Sequence, residues 1–80
     1  MMSFDAWAVL KQLKRNGATF DGDLVSKSGR TELMDKGLAR RDRKFEDGPY
    51  AGCQKNELTD DGVKLATVCI ELDERFGARQ

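Results

Sequence analysis

The chain has 80 residues, with 14 basic and 14 acidic side chains for a net charge of zero, no histidine and two cysteines. That length allows one domain and one small core, which buries only about 60% of the unfolded surface. It excludes a multidomain enzyme, a histidine-based metal or catalytic centre, and the net positive charge that most simply signals nucleic-acid binding.

The charge is unevenly spread. Residues 26–45 hold seven basic and three acidic side chains, a net +4, whereas residues 57–80 hold three basic and six acidic ones, a net −3. A basic middle and an acidic C-terminal segment are expected to give a polarised surface. Cys53 and Cys69 have no zinc or haem spacing, and two reduced thiols are favoured over a disulfide between them. No cofactor or metal is expected. No apolar run approaches the ~20 residues of a membrane span, and the N-terminus lacks a charged leader with an apolar run, so a soluble, cytoplasmic protein without membrane contact is expected.

A first helix is predicted from Ser3, its N-cap, to Gly17, with Asp5 in the first turn. Ala6, Val9, Leu10 and Leu13 share its apolar face; Trp7 lies at the edge, and Phe4 and Ala8 lie off it. Thr19 to Asp23 reads as a turn-rich connection, and Leu24-Val25 as a short apolar anchor. Ser26 or Ser28 caps a second helix running to Lys36, with Gly37 as its left-handed stop. Leu38 to Phe45 has the length of a strand. Glu46-Asp47-Gly48-Pro49 has turn chemistry, and Tyr50 to Leu58 returns as a second strand, irregular at Gly52.

Thr59 caps the last helix, with Asp60 and Asp61 in its first turn and Arg75 near its end before Gly77. Its apolar positions, Val63, Leu65, Ala66, Val68, Cys69, Ile70, Leu72 and Phe76, sweep roughly 220° at 100° per residue. One face packed on a small domain needs little more than ~100°. The surplus predicts a homodimer through this helix and the first, with Phe4, Trp7, Leu65, Val68, Cys69, Leu72 and Phe76 at the interface.

Gly37-Leu38-Ala39-Arg40-Arg41 and Leu58-Thr59-Asp60-Asp61-Gly62-Val63-Lys64-Leu65-Ala66 together resemble winged-helix transcriptional regulators of the MarR and PadR kinds. The resemblance covers roughly residues 28–66. It implies an α+β winged helix: an N-terminal helix, a short helix, a two-stranded β-hairpin wing and a long C-terminal helix. The chain departs from the pattern in two places. Asn16 to Lys36 is about two helical turns too short, so the helix-turn-helix is shortened, its second helix one turn or absent and its recognition helix limited to about residues 28–36. The turn Glu46-Asp47-Gly48-Pro49-Tyr50 also lacks the arginine that such wings insert into the minor groove.

The partner expected on this reading is double-stranded DNA, in transcriptional control. Lys27, Arg30, Arg40, Arg41, Arg43 and Lys44 would neutralise phosphates, while Ser28 and Thr31 face outward on the short helix. The alternative is a winged helix that binds protein, a compact adaptor or inhibitor of the phage-encoded kind, and the zero net charge favours it. The run from Arg40 to Lys44 also has a plain reading, a solvated edge strand protected from edge-to-edge pairing by charge. No nucleophile–base pair, phosphate-cradling glycine loop or metal cluster appears, so no enzyme activity is expected.

Overall fold

The computed structural model describes residues 2–72. Its architecture is α+β, three helices and a three-stranded antiparallel sheet. Helix α1 spans Phe4–Asn16, and Ser3 caps it by accepting the Ala6 N–H at 3.1 Å. The chain leaves α1 at Gly17, whose φ of 76° lies in the left-handed region that a side chain disfavours. Ala6, Val9, Leu10 and Leu13 are all buried, as their spacing predicts, and they form the core with Leu33, Ala39 and Ala66.

Helix α2 spans Lys27–Asp35. Of the two candidate caps, Ser26 is the one used: its Oγ accepts from the Gly29 N–H at 3.0 Å. The far end closes as a Schellman motif. Gly37 at φ 74° donates to the Met34 carbonyl at 3.0 Å, and Leu38 donates to the Leu33 carbonyl at 2.8 Å. Gly29 sits where α2 crosses α1. A Cβ there would lie 2.5 Å from the Asp5 carbonyl oxygen and 3.0 Å from Val9 Cγ2, so the two helices meet nearly backbone to backbone.

The sheet contains a strand that the sequence reading takes for a connection. Strand β1 (Thr19–Phe20) precedes a 3-10 turn at Asp21–Asp23, and strands β2 (Ala39–Lys44) and β3 (Gln54–Leu58) form the hairpin. The order is β1-β3-β2. Thr19 pairs with Asn56 and Phe20 with Lys55. Two residues are too few to show a strand's alternation, and their pairing is dictated by β3, more than thirty positions away. The 3-10 turn occupies the place in the chain where a second helix of one turn or none is expected.

On the other side of β3, Ala39 pairs with Leu58 and Arg40 with Glu57, then Arg43 with Lys55 and Lys44 with Gln54. Arg41 and Asp42 together therefore oppose Asn56, a β-bulge. The second hairpin strand begins at Gln54, not Tyr50. Gly48 and Gly52, at φ 80° and 84°, turn the chain, and Phe45 and Cys53 close the loop through Phe45 N–H to Cys53 O at 2.9 Å.

Helix α3 spans Asp60–Leu72. Thr59 ties its start to the end of α2: its Oγ1 accepts from Gly62 N–H at 3.2 Å and donates to the Gly37 carbonyl at 2.7 Å. Any Cβ on Gly62 would overlap the Leu38 carbonyl. Leu58, Thr59 and Gly62 thus have a structural reason independent of any partner. Gly62 and Ala66 face the core and Leu65 packs against it, while Val68 and Leu72 stay about half exposed. Trp7 packs on the core, and Phe4 is 87% exposed. Phe76, Arg75 and Gly77 lie outside the described residues. Among those described, no helix is long and apolar enough to cross a membrane.

Candidate nucleic-acid interface

The first turn of α2 presents Lys27, Ser28 and Thr31 to solvent. Their side chains are only lightly engaged. Thr31 Oγ1 donates back to the Lys27 carbonyl at 3.2 Å, and the Ser28 and Ser26 hydroxyls lie 3.1 Å apart. Lys27 has no ion pair among the described residues. This end of the helix therefore combines a cation, two hydroxyls and the amides of a helix start, groups suited to phosphate oxygens.

Arg30, one turn further on, is committed elsewhere. Its Nη1 meets Asp21 Oδ1 at 2.7 Å, and Arg41 Nη2 meets Asp21 Oδ2, also at 2.7 Å. The two arginine side chains are only 13% and 31% exposed. Fully buried Asn56 completes the group by donating through Nδ2 to Asp21 Oδ1 at 2.7 Å and to the Thr19 carbonyl at 3.0 Å. Burial works against the Asp21 charge. The Asn56 hydrogen bond and the two arginine charges outweigh it, and hold the carboxyl below its usual 3.8.

A second carboxylate engages the outer face of the hairpin. Glu57 Oε2 lies 3.2 Å from Arg40 Nε and 3.8 Å from Arg43 Nε. Arg43 remains 59% exposed, and Lys44 is exposed with no ion pair among the described residues. The structure therefore divides the eight candidate residues. Lys27, Ser28, Thr31, Arg43 and Lys44 face solvent, Arg40 is half committed, and Arg30 and Arg41 hold the chain together.

The hairpin tip folds back on the 3-10 turn. The rings of Tyr50 and Phe20 stack at 4.5 Å with 9° between planes, and Phe45 lies 5.8 Å from Tyr50. Tyr50 donates its hydroxyl proton to Asp23 at 3.0 Å, and that bond raises the phenol's pKa. Gln12 fixes the same turn, donating to the Asp23 carbonyl at 2.7 Å and accepting from Val25 N–H at 3.0 Å. Nearby, the Ser3 N–H donates to the Glu32 carboxylate at 2.9 Å and holds that carboxyl below its ordinary range.

Asp21, Asn56 and Glu57 are the residues that sequence reasoning misses. Asparagine inside a strand is uncommon, and this is the one local signal that Asn56 carries; the two acids become visible only once the strand register is known. Cys53 and Cys69 are not bonded to each other. Among the described residues, no group of three or more aspartate, glutamate, cysteine or histidine side chains could hold a metal ion. Comparison with protein-family models, with curated proteins and with solved structures gives no match for this chain.

Proposed function

We propose that this chain is a small winged-helix protein that binds double-stranded DNA in the cytoplasm and acts in transcriptional control. The order of elements supports this reading: helix, short strand, single turn, helix, hairpin, helix, with the sheet ordered β1-β3-β2. The observation that carries it is a pair of solvent-facing surfaces, the Ser26-capped start of α2 with Lys27, Ser28 and Thr31, and the hairpin with Arg43 and Lys44. Lys27, Arg43 and Lys44 neutralise phosphates, while Ser28, Thr31 and the helix-start amides fix the register. Arg40 assists from the rim of its pair with Glu57.

The contact set is smaller than the sequence implies, so about two or three phosphates are engaged per chain, with a salt slope of roughly −2 to −3. A second copy, joined through the half-exposed apolar side of α3 and Phe4, doubles that slope. Fluorescence anisotropy on random duplex between low and moderate salt tests both statements. Replacing Lys27 or Lys44 by alanine should lower the slope by about one. No binding to any duplex at low salt overturns the proposal.

A specific observation favours the rival reading, a protein-docking module. Arg30, Arg40, Arg41 and Arg43 already face Asp21 or Glu57 within the chain, which leaves a nearly neutral hairpin surface. Capture of a partner that survives nuclease treatment of the lysate, together with a flat salt response on DNA, selects this rival.

A further inference from the structure

Asp21 stands between two arginines that come from different elements, Arg30 on α2 and Arg41 on β2, and gives one oxygen to each at 2.7 Å. Each guanidinium uses a single terminal nitrogen. Arg30 Nε and Arg41 Nε are buried with no hydrogen-bond partner among the described residues. A guanidinium is a fork built for two parallel bonds to an oxyanion, and both forks here are half used. Asn56 takes part of the capacity of Asp21 Oδ1, so the carboxylate cannot fill them.

We propose that Arg30 and Arg41 form a phosphate seat that Asp21 masks from within. An incoming phosphate oxyanion takes the carboxylate's place, faces both forks and links α2 to the hairpin through itself. The exchange is balanced in charge when the ligand is a phosphodiester, one monoanion leaving the arginines as another arrives. Gln12 and Tyr50 hold the same turn at Asp23 and Val25, so the exchange needs only the Asp21 side chain to swing away. When it leaves, Asn56 keeps its bond to the Thr19 carbonyl. That the ligand is a DNA phosphodiester rests on the function proposed above; the seat itself does not.

The test follows the Nε–Hε resonances of Arg30 and Arg41 in the full chain while inorganic phosphate is titrated against chloride at matched ionic strength. Asp21→Asn should bind phosphate about tenfold more tightly than the parent chain, with both resonances moving, and adding Arg41→Gln should abolish the gain. An Asp21→Asn chain that folds but responds no more than the parent overturns the seat. If Asp21→Asn is too unstable for spectra, its gain in melting temperature in phosphate over chloride should exceed that of the Asp21→Asn/Arg41→Gln double variant, which carries the same general salt effect, and equal gains overturn the proposal equally. Duplex DNA gives the separate arm. A variant that takes phosphate while no form of the chain binds duplex upholds the seat and removes the DNA reading.

Discussion

Asp21 and Glu57 each confront two arginines, yet the two clusters differ in kind. Asp21 grips Arg30 and Arg41 at 2.7 Å, joins three segments of chain, and is backed by fully buried Asn56. Glu57 meets Arg40 and Arg43 at 3.2 and 3.8 Å on the outer face of a single hairpin. The first arrangement fixes how the 3-10 turn, α2 and the sheet sit together. The second moderates a charged surface. Counting cations along β2 does not separate these roles, because burial and geometry, not charge type, decide what an ion pair is worth.

The largest expected effect comes from breaking the inner cluster. Asp21→Ala leaves two part-buried guanidiniums without their anion and should cost about 2–3 kcal/mol, a value below that of a fully buried pair because water still reaches the site. Urea unfolding measures it, and a loss under 1 kcal/mol would contradict the role given to Asp21. The same residue sets an acid limit. Its folded pKa is lower than its unfolded one, so its stabilisation is complete above the unfolded value and is lost as pH falls through the folded value, that is, below about pH 4. Asp21→Asn should remove that part of the acid dependence.

Asn56→Ala should cost about 2 kcal/mol, since two hydrogen bonds vanish at a buried position and Asp21 loses a donor. Glu57→Gln is expected to cost well under about 1 kcal/mol, and that little should disappear in high salt, whereas the Asp21 contribution largely persists. Equal salt sensitivity in the two variants would erase the distinction between the clusters. The smallest change is Tyr50→Phe, which keeps the stack on Phe20 and loses one exposed hydrogen bond to Asp23, about 0.5 kcal/mol.

The helix ends could be read directly from the sequence, because capping is local chemistry. In capping their helices, Ser3, Gly17, Gly37 and Thr59 each act within a few residues of their own position. The buried face of α1 was equally plain in its spacing. The third strand was hidden, for its two residues carry no period of their own and exist as a strand only through β3. The sequence marks the cations of the candidate interface but, for the same reason, not which of them are paired within the chain. Arg40, Arg41 and Arg43 look equivalent in a run of cations, and only the register assigns Arg40 and Arg43 to Glu57 and Arg41 to Asp21. Gly29 and Gly62 likewise show their purpose only when a neighbouring backbone is close enough to exclude a methyl group.

The extra residue opposite Asn56 has a further consequence for reach. A regular ladder points neighbours three apart to opposite sides, which would separate Arg43 from Arg40; the added residue returns Arg43 to the side of Arg40, where both meet Glu57. Bulges add right-handed twist to a ribbon, and at the tip of this one the Tyr50 ring rests on Phe20. The far end of the ribbon is thus engaged within the chain itself, through Tyr50 to Phe20 and Asp23.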